Sequence, residues 1–136
     1  MTAWLSALTP MARVALLGEQ RVIERFPFRV GRESRAAGSS PRAGDERRGG
    51  AAAQQLNDLY LLDPGGEIIH VSREHFQIEQ HGDDYALVDR ASACGTLVEG
   101  RLVGGERQGG RVALHDHDVI IAGGEDSPFV FKFRVR

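Results

Sequence analysis

Short segments in which apolar and polar residues alternate recur along the chain, and turn residues separate them. The clearest is the last, where Phe129, Phe131, Phe133 and Val135 fall on one face and charged side chains on the other. A period of two is typical of a strand with one buried face, and we expect this strand to lie near a sheet edge. Further strands are expected at 59–62, 75–80, 85–89, 96–98, 102–103, 112–113 and 119–122.

The N-terminal part and one long segment depart from this regular spacing. An apolar run at 12–17, followed by an alternating segment at 21–30, predicts a hairpin of two or three strands, and no helical period of useful length appears. Residues 1–11 are interpreted as a tail, or as an extra packed segment, before a domain over 12–136. Residues 33–55 contain no large apolar side chain, so they predict a long flexible loop. Many short strands with regular turns indicate an all-β sandwich or barrel.

Composition narrows the class of protein. The chain has 136 residues, of which 41% are hydrophobic and 26% charged, as expected for one globular domain. A net charge of -2 predicts no bulk attraction to nucleic acid or to a membrane surface. Cys94 is the single cysteine, which excludes an internal disulfide, and no apolar run is long enough to cross a bilayer. We therefore expect a cytoplasmic protein whose partners are neither nucleic acids nor membranes.

Hydroxyl and guanidinium groups are concentrated at the ends of expected strands. Gly31 and Arg32 follow one strand, and Ser72, Arg73 and His75 precede another. Serine hydroxyls and arginine forks donate hydrogen bonds to phosphate oxygens, and arginine can donate two at once. These positions predict a site for an anion.

The order of the motifs resembles the forkhead-associated (FHA) domain, over about residues 12–135. In chain order the resemblance is carried by Gly31-Arg32, Asn57-Asp58-Leu59, Ser72-Arg73-x-His75, Asp89, Ser92-x-x-Gly95-Thr96, Val98-x-Gly100, Leu114-x-x-x-Asp118-Val119-Ile120 and the Phe-rich last strand. It implies a β-sandwich of about eleven strands with binding loops at one end. It also implies that these loops bind phosphothreonine peptides and that the domain is not an enzyme.

The resemblance implies roles for the polar residues of these motifs. Arg32 and Ser72 would hold the phosphate, while Arg73 would lie along the peptide or add a phosphate contact. Ser92 and Thr96 would shape the loop opposite and, together with Arg73 and Cys94, would line the peptide groove. No cofactor and no metal ion are implied.

Other residues of the motifs are expected to support or adjust the site. Gly31, His75 and Gly95 would hold the loops in place, and His70 could favour an acidic or polar side chain of the peptide. Cys94 stands where the family usually has an asparagine that anchors the peptide backbone. Because a thiol is a weak donor and acceptor, the phosphate side is expected to be intact while peptide anchoring is in question.

Several alternatives use the same residues. The fold could serve a phosphorylation-independent interaction module, or Ser72 or Cys94 could act as a nucleophile with His75 as base. Two histidines within 115–118 could face one metal ion, but a structural site needs four ligands. Thr9, which precedes a proline, is a candidate phosphorylation site. The sequence favours a phosphothreonine-binding module that couples Ser/Thr kinase signalling to protein assembly or regulation through a phosphorylated partner protein.

Overall fold

A computed structural model describes residues 2–33, 56–63 and 69–136, and eleven strands make up nearly half of this part of the chain. The elements are β1 (Ala3–Ala7), α1 (Pro10–Leu16), β2 (Gln20–Ile23), β3 (Phe28–Arg32), β4 (Leu59–Leu61), β5 (Phe76–His81), β6 (Asp84–Asp89), β7 (Thr96–Val98), β8 (Arg101–Val103), β9 (Gly110–Leu114), β10 (Val119–Ala122) and β11 (Val130–Val135). The expected all-β fold and number of strands are confirmed. The predicted loop at 33–55 lies outside the described residues except for Glu33.

Two sheets form the sandwich. One has the strand order β2-β1-β11-β10-β7-β8, and the other has the order β4-β3-β5-β6-β9. The β3–β4 pair is parallel, and the other described pairs are antiparallel. The alternation in β11 places Phe131 and Phe133 in the core, where both are completely buried. Phe76 and Ile78 of the facing sheet are completely buried as well. Tyr85 and Phe133 stack edge to face across the core, with ring centroids 5.1 Å apart.

The N-terminal segment belongs to the sheet, so of the two interpretations of residues 1–11 the packed segment agrees with the structure, and the tail before a domain boundary at residue 12 is wrong. β1 pairs with both β2 and β11, and its alternate residues Ala3, Leu5 and Ala7 are buried. As a result β11 lies between two strands, and its expected position near a sheet edge is also wrong. The backbones of Thr2 and Arg136 exchange two hydrogen bonds of 2.9 and 2.8 Å, which extends this pairing to the last residue.

The apolar run at 12–17 is helical up to Leu16, although a strand was expected there. The Thr9 hydroxyl accepts a hydrogen bond from the Ala12 amide at 3.3 Å and Pro10 occupies the first helical turn, both of which favour a helix start. Leu17 adopts a left-handed conformation that ends the helix. The Thr9 hydroxyl also donates to the Pro128 carbonyl oxygen at 2.5 Å, so it is engaged in capping the helix and in fixing it to the domain.

Four parts of the chain meet at one end of the sandwich: the end of β3 and the connections at 69–75, 90–95 and 104–109. Backbone hydrogen bonds join them, from Arg32 to Ser72 at 2.9 Å, from Arg90 to His75 at 2.8 Å and from Arg107 to Ser92 at 2.9 Å. The two chain ends lie at the other end. Among residues 2–33, 56–63 and 69–136, no helix has the length and apolar character required to cross a bilayer.

Candidate functional site

A cleft of about 510 Å³ opens at the end of the sandwich where these connections meet. Arginine side chains dominate its lining, with Arg32, Arg73, Arg90 and Arg107, and Glu74 is the one acidic residue among the described residues that line it. Overall the chain is slightly acidic, so this is a local concentration of positive charge. Such a cleft attracts anions.

Two of these arginines have guanidinium groups that form few or no contacts with the described residues. Arg32 closes β3, where its amide donates to the Ser72 carbonyl oxygen, and its Nη1 lies 3.4 Å from the Val71 carbonyl oxygen. The side chain of Arg73 is exposed. Within the described residues, neither Arg32 nor Arg73 forms an ion pair with a carboxylate. Both can therefore donate to a ligand in the cleft.

Ser72 joins the loops at 69–75 and 90–95, and its hydroxyl hydrogen is not used in doing so. Its Oγ accepts a hydrogen bond from the Ala93 amide at 2.9 Å, and its amide donates to Nδ1 of His75, also at 2.9 Å. Its hydroxyl hydrogen finds no acceptor among the residues described. Because Ser72 lines the cleft beside Arg32, this hydrogen is available to a bound anion.

His75 braces the loops and is fully buried. Since the Ser72 amide can only donate, Nδ1 must accept, so the proton resides on Nε2, which donates to the Gly95 carbonyl oxygen at 2.7 Å. Burial in an apolar environment lowers the pKa of His75 below its usual value of 6.5 and keeps the ring neutral. With both nitrogens bonded to backbone groups, His75 does not contact the Ser72 hydroxyl as a general base would.

Gly31 allows the loop at 71–75 to approach β3 closely. A Cβ at this position would overlap with the Arg73 carbonyl oxygen and lie 2.7 Å from Oδ1 of Asn57. Nδ2 of Asn57 donates to the same Arg73 oxygen at 2.8 Å, and Oδ1 of Asn57 accepts from Arg90 at 2.6 Å. Asn57 and Arg90 are thus part of the site's framework. Asn57 belongs to one of the motifs in the sequence, but its role as a support of the site was not predicted.

Ser92 and Thr96 lie beneath the loop and shape it, as one expectation has it, but they do not line the groove, contrary to the other. Both are fully buried, and their hydroxyls donate to Asp89 at 2.6 and 2.9 Å. The Ser92 hydroxyl also accepts from the Gly95 amide at 2.9 Å. A buried carboxylate such as that of Asp89 needs hydrogen-bond donors. The resulting hydrogen bonds hold the loop at 90–95 in the conformation that places the Gly95 carbonyl oxygen next to His75.

A family comparison identifies this arrangement. The sequence profile of the FHA domain matches residues 51–123, more than half of the chain. The chain belongs to the FHA domain family. No curated protein matches the sequence.

Solved FHA domain structures have the same fold. The chain superposes on the FHA domain of CT664 from Chlamydia trachomatis with a TM-score of 0.62 and 18% identity, covering 100% of this chain and 99% of that one. For EmbR of Mycobacterium tuberculosis, in complex with a low-affinity phosphopeptide, the TM-score is 0.59 at 21% identity, over 98% of this chain and 24% of that one. The kinase-interacting FHA domain of the phosphatase KAPP from Arabidopsis gives 0.58 at 23% identity, over 98% and 92%.

Two candidate residues of this FHA domain lie outside the lining of the cleft. Cys94 is exposed beside it, with its Sγ 3.6 Å from the Ile69 carbonyl oxygen, so the thiol links the loops at 69–75 and 90–95. His70 is half-buried, and its amide donates to Oδ2 of Asp63 at 2.7 Å. A Cβ on Gly123 would lie 3.2 Å from the Cβ of His70, which shows that His70 packs toward this loop.

Sequence reasoning missed Arg107. It lies in the glycine-rich connection between β8 and β9, within no recognised motif, and its contribution to the cleft depends on how that connection folds. The amides of Glu106 and Arg107 donate to the carbonyl oxygens of Ala93 and Ser92, at 2.8 and 2.9 Å. These two bonds place the Arg107 side chain at the cleft.

The residues at 115–118 do not converge on one point. His115 lies 3.6 Å from Asp118, and His117 lies 3.3 Å from Asp116. Throughout the described ranges, no group of three or more histidine, cysteine or acidic side chains is arranged to hold a metal ion. His117 adopts a left-handed conformation with φ of 77°, in a turn at the opposite end of the sandwich from the cleft.

Proposed function

We propose that this FHA domain binds a phosphothreonine-containing segment of a partner protein. The observation that carries the proposal is the position of Arg32, Arg73 and the Ser72 hydroxyl around one cleft, each with hydrogen-bond donors that no described residue takes up. A phosphate carries about -1.5 to -2 charges and three strong acceptor oxygens at neutral pH. Two guanidinium groups and one hydroxyl suit its charge and its acceptors.

The framework around these donors supports the proposal. The Ser72–His75–Gly95 hydrogen bonds, the Gly31 contact and the Asp89 network hold the end of β3 and the loops at 69–75 and 90–95 in one arrangement before any ligand arrives. Donors fixed in advance lose less entropy when they bind an anion. The EmbR structure, which is similar in fold, was solved with a phosphopeptide.

Threonine rather than serine is proposed because apolar side chains lie beside the donors. Ile69 and Ala93 line the cleft near Ser72 and provide a surface for the γ-methyl group of the phosphothreonine. Phosphorylation of the partner by a Ser/Thr kinase would create the ligand and dephosphorylation would remove it. The domain would in this way couple kinase signalling to assembly or regulation of the partner.

The proposal is tested by titrating matched phosphothreonine, phosphoserine and unphosphorylated peptide libraries against the wild type and Arg32→Ala. We expect the wild type to bind the phosphothreonine library strongly and the other two libraries weakly. Arg32→Ala should weaken the binding of the phosphothreonine library by tenfold to about a hundredfold, since a hydrogen bond to a charged group contributes about 1.5–3 kcal/mol. Arg101→Ala serves as the matched control, because Arg101 is exposed at the start of β8, away from the cleft. Equal binding with and without phosphate would overturn the proposal in favour of a phosphorylation-independent module.

A further inference from the structure

Arg107 reaches the cleft on an unusual backbone. Glu106 and Arg107 are consecutive non-glycine residues with φ of 53° and 62°, in the left-handed region that such residues rarely adopt. The hydrogen bonds that their backbone amides donate to the carbonyl oxygens of Ala93 and Ser92 hold them in this conformation. The conformation fixes an arginine at the cleft that none of the motif residues supplies, and strained backbone of this kind is concentrated at functional sites.

The guanidinium group of Arg107 is free, whereas that of Arg90 is committed to the framework. Arg90 donates to Asn57 Oδ1 at 2.6 Å, to the Leu56 carbonyl oxygen at 3.1 Å and to Glu74 at 2.8 Å. The exposed side chain of Arg107 has no hydrogen bond or ion pair with any residue in 2–33, 56–63 or 69–136. Its charge therefore faces the cleft without compensation from the described protein.

The charges in the cleft exceed what a single phosphate requires. Four arginines line it and Glu74 pairs with Arg90, which leaves the three guanidinium groups of Arg32, Arg73 and Arg107. A phosphate of about -1.5 to -2 charges neutralises at most two of them. One positive charge remains for a second acidic group.

We propose that Arg107 forms a second anion subsite, which binds the carboxylate of an aspartate or glutamate close to the phosphothreonine in the same partner segment. This inference rests on the proposed function and adds sequence specificity to it. Arginine suits a carboxylate because its planar fork can donate two parallel hydrogen bonds. The partner class is thus a phosphothreonine segment with an acidic flank.

The test uses phosphothreonine peptides in which one glutamate is moved through the three positions on each side of the phosphothreonine, with glutamine at the remaining positions. Their dissociation constants are measured for the wild type, Arg107→Gln and the matched control Arg101→Gln. We expect glutamate to strengthen binding about threefold to tenfold at one or two positions in the wild type and in Arg101→Gln, a gain typical of a partly exposed ion pair. In Arg107→Gln this gain is expected to disappear, while the peptide with glutamine throughout keeps most of its affinity.

A charge reversal separates direct contact from a change in loop structure. Arg107→Glu should prefer lysine over glutamate at the same peptide position, an outcome that a distorted loop would not produce. An unchanged glutamate preference in Arg107→Gln would overturn the subsite and leave the phosphate site standing. Equal weakening of all phosphopeptides would make Arg107 a phosphate ligand and also overturn the subsite. Loss of phosphate dependence in the wild type would overturn the proposed function and the subsite with it.

Discussion

A single buried imidazole connects two of the loops that form the cleft. His75 accepts from the amide of Ser72 and donates to the carbonyl oxygen of Gly95, so its neutral form is built into the site. Protonation would place a second donor opposite the Ser72 amide and a charge in an apolar environment. The arrangement of the site therefore requires that Nδ1 of His75 remains unprotonated.

The first prediction concerns stability against pH. Burial depresses the pKa of His75 in the folded state, so the unfolded chain takes up a proton first as the pH falls. The stabilisation is complete above about pH 6.5 and is lost as the pH falls from there through the folded-state pKa, by at most about 1.4 kcal/mol per pH unit. Urea unfolding at pH 7.5, 6.0 and 5.0 measures this loss.

Two comparisons identify the group responsible for this pH dependence. His75→Gln should be less stable at every pH but should lack the extra decline below pH 6.5. Carboxylates act in a lower range: hydrogen bonding from Arg111 brings the pKa of Glu79 to about 2, so its contribution is lost only as the pH falls below about 4.5. A wild-type stability that is constant from pH 7.5 to 5.0 would contradict the role assigned to His75.

The second prediction concerns Gly31. In Gly31→Ala, the added methyl group would collide with the Arg73 carbonyl oxygen, which is backbone and cannot rotate away. We expect a loss of about 1–3 kcal/mol or more in the free energy of unfolding, together with weaker phosphopeptide binding, because the loop carrying Ser72 must shift. The matched control is Gly124→Ala, where the new methyl group meets open space. Equal stability of the two variants in urea unfolding would show that the loop packs differently.

At this scale the sequence predicts some contacts better than others. The positions of Arg32 and Ser72 at one cleft follow from motifs at strand ends. The burial of Ser92 and Thr96 does not, because a hydroxyl that faces a ligand and one that bonds a buried carboxylate look alike in a sequence. Arg107 was missed because its position depends on hydrogen bonds between two irregular loops, which leave no periodic pattern.

Among the elements, the strands with strict alternation were predicted well and the N-terminal ones were not. The phenylalanines of β11 show its buried face in the sequence, but its neighbour β1 contains only five residues, three of which carry small side chains. A segment this short resembles a tail until its pairing is known. The helix α1 is also too short to show a helical period, and its signature is the Thr9-Pro10 start.

The third prediction tests the place of β1 in the fold. Removing residues 2–8 would detach β2 from its sheet and expose the edge of β11, so we expect loss of cooperative unfolding or aggregation. Within the intact chain, Leu5→Ala should cost about 2–5 kcal/mol, since Leu5 is fully buried. Leu8→Ala, at a side chain that is 46% exposed, should change stability by no more than about 0.5 kcal/mol. A shortened chain that melts like the wild type would restore the domain boundary at residue 12.

Over the whole molecule, charge is distributed unevenly. The chain has a net charge of -2, yet the guanidinium groups of Arg32, Arg73 and Arg107 meet at one end without an ion-pair partner among the described residues. At the other end, Arg134 pairs with Asp116. The proposed phosphopeptide would therefore be drawn to this end of the sandwich. This attraction weakens as ionic strength rises.

The fourth prediction is that ligand binding is confined to that end. On titration with a phosphothreonine peptide, backbone amide resonances should shift at Arg32 and within 69–75, 90–95 and 104–109, because a rigid sheet carries the loops. Trp4 and Lys132, on the outer face of the six-stranded sheet, should remain unshifted, and the unphosphorylated peptide should cause no change. Shifts on the sheet face that do not depend on phosphate would indicate the constitutive interaction module instead.

The hydrogen-bonded pair of chain ends has a consequence for how the domain can be connected to other proteins. Thr2 and Arg136 are neighbours on adjacent strands, and Asp116, which accepts from the Val135 amide at 2.8 Å, marks the same end of the sandwich. A host protein could therefore carry this domain as an insertion between two consecutive residues of one of its own surface turns. The two host residues would not have to move far apart, because Thr2 and Arg136 are adjacent. Both points of attachment would lie at the base, and the arginine cleft would point away from the host.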